Sequence, residues 1–598
     1  MPEFAIEYVV IVVYLLVILA VGPACKKLNT DTEDFFRSGC RGTWWIVGMS
    51  SFMSGISALT FTGNGGVAYM AGWSVLAIYL GGLAGWLSHA ICLGPWFRQL
   101  RVTTFPEALR ARFGPITQQT YAVIGILMAI LAASIWLFGL AIFSASAFSL
   151  PLRATIPVLG LTVLFYSTMG GKWAVMAADF IQGIVMVVMT VLLSVLCIIY
   201  AGGVGAFFET IHAQDLSDTF TLVKPSGAFG GNEYSWEWLL AVFTVQFIGT
   251  ASMTQSVRYF AVKDGREAVK AALLTAVLLA CGTLLWFIPP MTARLFFPED
   301  VMASGMPKPE EAAFAIVALK LLPSGLVGMI VVAMFAATMS SVDTGLNGNA
   351  AMFMRDILPS LFRKLKCPLP AEATLLKWSR LTTIFFGLAV IGIALYLSYM
   401  DGMGIFQFAI GLSATLFIPM SIPLLLCLFI RRVPPWACLF SLVMALIPSL
   451  IAYLWPDLMT FGMRVFLVVV VGVVAFLATI PFPRSGAYRM QVDAFFAKMH
   501  RPVNFEAEVG GANDTVQLLI MSRFALVIGA LIFLLLFIPN RLEGRLAIAA
   551  AASAISVLGL AFYVRGSRAV RHQLAKRRAE QAAEAMVPCR NTGKVLSK

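Results

Sequence analysis

Long apolar runs separated by short polar gaps fill the chain from end to end. Crossing the apolar core of a bilayer, about 30 Å thick, takes about 20 helical residues. We predict spans at 4–24, 44–71, 73–96, 121–148, 155–168, 173–200, 236–259, 268–292, 324–354, 381–399, 405–430, 436–454, 465–480, 518–538 and 546–564. The pattern therefore predicts an all-α integral membrane protein with about fifteen transmembrane helices, numbered here as spans one to fifteen.

The composition supports a membrane protein rather than a soluble one. Of the 598 residues, 60% are hydrophobic and 12% are charged, unlike an ordinary soluble domain. The net charge of +13 suggests nucleic acid at first sight. The basic residues fall in the gaps between apolar runs, however, where the positive-inside bias of membrane proteins explains them. We therefore expect membrane lipids as surroundings and no nucleic-acid partner.

The basic residues concentrate in alternate gaps, beginning with those after spans one and three. The positive-inside rule makes these gaps cytoplasmic. Because the number of spans is odd, the N-terminus is predicted to be external and the C-terminus cytoplasmic, in a plasma membrane. The basic tail is either an amphipathic helix lying on lipid or a solvated segment.

The domain organisation follows from the same gaps. We predict a leading helix and loop at 1–43, a ten-helix core at 44–432, four accessory helices at 433–565 and a basic cytoplasmic tail at 566–598. The first span lacks a basic region before it and is long enough to cross, so it is predicted to be a retained helix. A cleaved signal peptide is the alternative.

Small and hydroxylated residues interrupt the second span, at 53–60 and again at 63–66. A helix break at membrane depth is tolerated where it lines a cavity, and its carbonyl groups then become ligands for a hard cation. Tight packing of helices through small residues is an equally good explanation. The sequence leaves both interpretations open.

The ninth span carries polar side chains on one face. Ala337, Ser340, Ser341 and Thr344 are spaced by three and four residues, and therefore share a face. Asp343 lies one position away, and a carboxylate inside a membrane is by default functional. The alternative is an aspartate near the cytoplasmic end that bonds to neighbouring backbone.

Further polar residues lie in three other spans. Asp179, near the start of span six, either serves a cation pathway or pairs with a basic loop residue such as Lys172. Span seven contains a polar patch that includes Gln246 and Thr250, and span eleven contains Gln407. Packing is the simpler explanation for Gln407.

The sequence lacks the motifs of ATP-driven pumps, membrane hydrolases and zinc sites. Its nine cysteines are scattered singly and indicate neither a disulfide scaffold nor a metal centre. We therefore predict a protein that is not an enzyme and that carries no cofactor.

Four short segments carry a family resemblance. They are DFF at 34–36, FPEALRARFG at 105–114, YSTMGGKWA at 166–174 and RYFAVKD at 258–264. Their order and their spacing relative to the spans resemble the sodium:solute symporter family, over most of the chain. Lys172 departs from the apolar residue that is usual at its position.

The resemblance implies a core of two inverted five-helix repeats, spans two to six and seven to eleven, that works by alternating access. Sodium is the implied coupling ion, and a small organic solute binds near the bilayer midplane. The implied sodium ligands are backbone or hydroxyl oxygens of Met53, Ile56, Ala337, Ser340 and Ser341. These neutral ligands suit a monovalent cation that must leave in every cycle.

Some relatives hold a second sodium at the aspartate that corresponds to Asp179. The resemblance places Asp343 and Thr344 at the remaining positions of that second cation or proton site. For the solute we predict contacts with Ser57, Thr60, Gln246, Thr250 and Gln407. A small neutral or weakly polar solute is favoured because spans three and four carry no charged group suited to an acid.

Two other functions stay open at this point. A proton-coupled symporter would lose uptake without a pH gradient rather than without sodium. A solute sensor would bind without transport, although no output domain follows residue 565. A channel is disfavoured because the chain shows no filter-like loop. The sequence does not distinguish a monomer from a homo-oligomer.

Overall fold

The computed structural model describes residues 5–25, 38–148, 150–169, 172–229, 232–306, 308–400 and 404–585. Within these ranges the secondary structure is helical, apart from one isolated bridge between Gly42 and Val262. The all-α prediction is confirmed for this part of the chain.

The helices of the first half are α1 to α11. Their bounds are α1 Ala5–Cys25, α2 Trp44–Ser54, α3 Ala58–Phe61, α4 Gly63–Ala71, α5 Leu76–Ser88, α6 Gly94–Gln99, α7 Phe105–Phe113, α8 Pro115–Phe148, α9 Leu152–Met169, α10 Lys172–Tyr200 and α11 Val204–Ala213.

The helices of the second half are α12 to α27. Their bounds are α12 Trp236–Ala251, α13 Gly265–Trp286, α14 Ile288–Phe296, α15 Pro298–Met302, α16 Ala313–Leu321, α17 Leu326–Met352, α18 Leu358–Lys364, α19 Glu372–Leu397, α20 Ile405–Leu412, α21 Ile418–Leu426, α22 Ala437–Leu454, α23 Phe461–Leu477, α24 Gly486–His500, α25 Phe505–Glu508, α26 Asp514–Leu534 and α27 Leu542–Ala585.

Ten helical stretches of the described chain are long and apolar enough to cross a membrane, and three shorter apolar helices accompany them. Each of the fifteen predicted spans contains helix. Whether all fifteen cross the bilayer is not decided by these lengths, so the count of fifteen stays a prediction. The protein is an integral membrane protein with at least ten helices of spanning character.

The outer faces of the helices are apolar, as expected where lipid replaces water. Ile91 of the π-helical turn between α5 and α6, Phe385 of α19 and Phe466 of α23 expose most of their side chains. By contrast, α17 lies at the centre, and its apolar stretch is buried along its whole length. Helices α2, α8, α10 and α19 pack around it.

The first of two helix breaks follows Ser54. Helix α2 ends there, Ser57 has extended backbone, and its hydroxyl caps α3 by accepting a hydrogen bond from Leu59 N at 3.3 Å. Helix α8 approaches this segment closely at Gly139, where a Cβ atom would lie 3.1 Å from Leu59 N. The structure thus decides in favour of a broken second span.

The second break follows Ala251. Ser252 is extended, its hydroxyl accepts a hydrogen bond from Thr254 N, and a 3₁₀ helix runs from Met253 to Ala261. The span predicted at 236–259 is therefore helical but interrupted at Ser252. A serine that caps its own following turn ends α12 and starts the tighter helix.

The terminal helices are attached to the same core. The Glu7 carboxylate of α1 accepts hydrogen bonds from the backbone of Gly325 and Gly328 at the start of α17, the first at 2.7 Å. At the other end α27 packs along α26 and continues through residue 585. The predicted border at 565/566 therefore falls inside a helix, and the rest of the predicted tail, 586–598, lies outside the described residues.

Candidate functional site

The first helix break meets the polar face of α17. Ser341 Oγ lies 2.8 Å from the carbonyl oxygen of Ile56 and 3.5 Å from that of Met53. The same hydroxyl lies 3.3 Å from the carbonyl oxygens of Ala337 and Ser54. Carbonyl groups freed by the break thus converge on one serine of the central helix, and Ser54 joins the predicted residues.

Two neighbours complete this face of α17. Ser340 is buried, and its hydroxyl makes no hydrogen bond to the described protein groups. Thr338 Oγ1 accepts a hydrogen bond of 2.8 Å from Ala58 N, the first residue after the break. Thr338 therefore fixes the broken helix against α17, and the Ser340 hydroxyl stays available for a ligand. The sequence analysis missed Thr338, although it lies three residues before Ser341 on the same helix.

The chemistry of this cluster is that of neutral oxygen ligands. Carbonyl and hydroxyl oxygens attract hard cations, and a site without a carboxylate binds a monovalent ion weakly enough to release it. The structure brings together Met53, Ile56, Ala337 and Ser341, and it places Ser340 beside them.

A charged network lies one helical turn further along α17. Asp179 Oδ2 is 3.0 Å from Arg258 Nη1, and both side chains are almost fully buried. The Ser50 hydroxyl donates to Asp179 and accepts from Arg258 Nη1, while Arg258 Nη2 donates to Thr344 Oγ1. Burial of two opposite charges requires such close pairing and hydrogen bonding.

Arg258 and Asp179 have other surroundings than the sequence predicted. The positive-inside rule assigns Arg258 to the basic residues of the cytoplasmic gap after span seven, whereas in the structure Arg258 is buried and pairs with Asp179. Asp179 therefore has Arg258 as a partner, and the side chain of Lys172, the suggested partner, is not among those that the structure describes. Arg258 follows the second break, so the 3₁₀ helix carries it back into the protein. The signal in the sequence that could have indicated this contact is a basic residue shortly after a broken helix.

The other predicted residues of the second site lie beside the network. The Thr344 hydroxyl donates to the Ser340 carbonyl at 2.8 Å, which links the network to the serine cluster. Asp343 is buried, and its Oδ1 accepts a hydrogen bond of 2.9 Å from Asn347. Asp179 and Thr344 thus both accept hydrogen bonds from the Arg258 guanidinium.

A central cavity of about 470 Å³ adjoins the first break. Four of the residues predicted to contact the solute, Ser57, Thr60, Gln246 and Thr250, line it. Its wall also includes Asn64, Tyr79, Trp86 and Trp136, and Asn64 Nδ2 donates to the Tyr79 hydroxyl at 2.7 Å. Hydroxyl, amide and aromatic groups therefore surround one space beside the serine cluster.

Gln407 does not line the central cavity. It lies in a second pocket of about 340 Å³, together with Trp238 and Arg464. Phe406 lines both spaces and lies between them. The α20 backbone directs neighbouring side chains to different sides, which sequence spacing alone did not reveal.

A membrane protein with a broken helix, an oxygen cluster at the break and an adjoining polar cavity has the construction of a secondary transporter. The sodium:solute symporter family model matches residues 35–444. The chain belongs to the sodium:solute symporter family, so it is a sodium-coupled solute transporter and not an enzyme.

Individual relatives are similar over much of their length. The sodium/sialic acid symporter NanT of Aliivibrio fischeri is 25% identical, over 75% of this chain and 87% of its own. Human sodium/myo-inositol cotransporter 2 is 28% identical over 59% of this chain and 56% of its own. A solved Na⁺-coupled sialic acid symporter, in a substrate-bound outward-open state, matches with a TM-score of 0.66 and 22% identity, covering 80% of this chain and 98% of that one. The last similarity supports the fold.

Proposed function

We propose that the sodium ion binds between the first helix break and α17, with solute in the adjoining cavity. The ligands are the carbonyl oxygens of Met53, Ile56 and Ala337 and the hydroxyl oxygens of Ser340 and Ser341. The observation that carries this proposal is the position of Ser341 Oγ, within 3.5 Å of all three carbonyl oxygens. Sodium takes the place of the Ser341 hydroxyl proton as the partner of the three carbonyl oxygens.

The cluster joins two parts of the protein that alternating access must move against each other. Met53 and Ile56 belong to the broken helix, and the serines belong to the continuous α17. Sodium bound between them favours conformations in which the two parts are close. Loss of sodium weakens this contact, which couples ion release to solute release.

The solute is proposed to be small, neutral and rich in hydroxyl groups. Among the described residues that line the central cavity, Arg258 is the one charged side chain, and it is paired with Asp179. Ser57, Thr60, Gln246 and Thr250 offer hydrogen bonds, and aromatic rings offer flat apolar contact. The names of the relatives, sialic acid and myo-inositol symporters, support a polyhydroxylated solute.

The wider architecture is proposed as fifteen transmembrane helices with two inverted five-helix repeats. Breaks in the second and the seventh predicted spans support the repeats, because these spans hold equivalent places in the two halves. The N-terminus is proposed to be external and the C-terminus cytoplasmic, in the plasma membrane. A monomer and a homo-oligomer are both compatible with this arrangement.

Thermal unfolding of the purified protein in detergent tests the sodium site. We expect sodium to raise the melting temperature relative to potassium, because a ligand of the folded state stabilises it. Ser341→Ala should abolish the difference. Ser449→Ala is the matched control, because Ser449 is a buried serine of α22 without a hydrogen bond among the described groups.

The same measurement identifies the solute class. Polyols, sugars, amino acids and organic acids are added one by one in sodium or in potassium. A polyol that stabilises the protein in sodium alone supports the proposal. If the sodium effect persists in Ser341→Ala, the proposed cluster is not the sodium site.

A further inference from the structure

The Asp179 network has the form of an occupied cation site. One oxygen from each of three helices bonds to the Arg258 guanidinium, namely Ser50 Oγ in α2, Asp179 Oδ2 in α10 and Thr344 Oγ1 in α17. The guanidinium reaches them from the 3₁₀ helix after the second break. Nitrogen atoms of the protein therefore lie where a free cation would need to bind.

The hydrogen bonds leave these oxygens little capacity for another cation. Asp179 Oδ2 accepts from both Ser50 and Arg258, and Ser50 Oγ itself accepts from Arg258 Nη1. Thr344 Oγ1 accepts from Arg258 Nη2 while its proton goes to the Ser340 carbonyl. Each of the three oxygens is thus used in a bond to the guanidinium.

The charges of the network also balance without an added ion. One buried carboxylate and one buried guanidinium sum to zero, and both side chains are about 3% exposed or less. A sodium ion at Asp179 would leave two cations side by side in a medium that screens poorly. The serine cluster differs because its carbonyl and hydroxyl oxygens carry no formal charge.

We propose that Arg258 is the resident cation of the Asp179 site, so that the protein binds one sodium ion instead of two. The proposal rests on the proposed function, which supplies the first sodium site at Ser341. Removal of the arginine charge converts the Asp179 site into a second sodium site, because carboxylate and hydroxyl oxygens then lose their cation.

Radioactive sodium binding to the purified full-length protein in detergent tests this stoichiometry without knowledge of the solute. The wild type should bind one sodium ion per chain. Arg258→Met, a neutral side chain of similar length, should bind two, because the Asp179 carboxylate then has no guanidinium partner. Arg258→Lys, which keeps the charge, should bind one.

Two further variants assign the ions to their sites. Arg258→Met combined with Asp179→Asn should return to one sodium ion, because the carboxylate is gone. Arg258→Met combined with Ser341→Ala should also bind one, held by Asp179. Melting temperature in sodium and in potassium confirms that each variant is folded, and Arg258→Met should gain more from sodium than the wild type.

The outcomes separate the inference from the function on which it rests. Two sodium ions in the wild type, or one in folded Arg258→Met, overturn the resident-cation proposal. The wild-type count decides the matter even where a variant does not fold. If the wild type binds no sodium, or if Ser341→Ala leaves binding unchanged, the proposed sodium site itself fails.

Discussion

The two helix breaks have similar local structure, but different chemical groups meet at each of them. After Ser54 the chain leaves carbonyl oxygens that face Ser341, and every oxygen near that hydroxyl is neutral. After Ala251 the chain tightens into a 3₁₀ helix and inserts Arg258 against Asp179. The first break offers neutral oxygens, which we propose as sodium ligands, and the second brings the positive charge of Arg258 to Asp179.

This difference follows from what each break leaves unpaired. Freed carbonyl groups carry partial charge, so they bind a cation weakly and reversibly. A buried carboxylate that stays ionised needs a positive charge beside it, since its desolvation costs several kcal/mol. At Asp179 this charge is Arg258 of the same chain. The comparison therefore predicts large stability effects at the second break and sodium-dependent effects at the first.

Asp179→Asn should give the largest loss of stability. It leaves the buried Arg258 charge without its carboxylate, which costs about 3–5 kcal/mol in the free energy of unfolding. Chemical unfolding in detergent measures the loss. Asp300→Asn is the control, because that carboxylate pairs with Lys320 where both side chains are more than 40% exposed, and its loss should change little. Equal losses of stability in Asp179→Asn and Asp300→Asn would show that the buried ion pair at the second break contributes no more than an exposed one.

Thr338→Val should come next, at the first break. The substitution keeps the side-chain volume but leaves Ala58 N without its acceptor, which costs about 1–3 kcal/mol. Sodium affinity should fall together with stability, because Ala58 lies two residues after Ile56, whose carbonyl oxygen is a proposed ligand. Thr383→Val is the control, since that buried hydroxyl bonds to its own helix at Ser379. Unchanged sodium affinity in Thr338→Val would show that the break is positioned by other contacts.

Glu311 is another buried carboxylate, and its ionisation should make the stability of the protein depend on pH. It lies in the segment before α16, where its Oε1 accepts a hydrogen bond of 2.7 Å from Ile405 N at the start of α20. The pKa of Glu311 is raised from 4.5 to about 7; burial is the main cause, the Ile405 hydrogen bond opposes the rise, Glu310 adds to it and Lys308 opposes it.

Because this folded-state pKa is raised, Glu311 stabilises the fold most below pH 4.5, and that contribution is lost as pH rises through about 7. The loss between these limits should reach about 2–3 kcal/mol. The melting temperature of the wild type should fall as the pH rises across this range, and that of Glu311→Gln should fall less. The same dependence of melting temperature on pH in both proteins would show that Glu311 does not titrate there.

Arg101→Ala should give the smallest effect, although it too breaks an ion pair between an arginine and a carboxylate. The Arg101 guanidinium donates to Glu508, and the side chains are 20% and 35% exposed. Arg101 lowers the pKa of Glu508 to about 2, but solvent and salt screen such a pair, so its loss should cost less than about 1 kcal/mol. Unfolding at low and high salt measures this cost. A loss as large as that of Asp179→Asn would show that burial is not what separates the two pairs.

Much of the site could be predicted because it depends on local spacing. Residues three and four positions apart on a helix share a face, and this rule alone placed Ala337, Ser340 and Ser341 together. Small and hydroxylated residues likewise indicated the first break as one of two interpretations. Both inferences use information contained within a few helical turns.

Contacts between distant segments were beyond the sequence. Arg258 and Asp179 are 79 positions apart, and the rule that assigns basic residues to cytoplasmic gaps placed the arginine outside the protein. Gln407 was expected near the solute, yet it lines the second pocket, while Phe406 lines both the second pocket and the central cavity. In each case the side-chain direction follows from how helices pack.

The sequence by itself determined the all-α membrane character, the family and the hydroxyl face of α17, because hydrophobic runs and helical spacing are local properties of the chain. The tertiary structure decided that the carbonyl groups of the first break meet Ser341 and that Arg258 neutralises Asp179. Both contacts join separate helices, and their energies exist only once those helices pack and water is excluded between them.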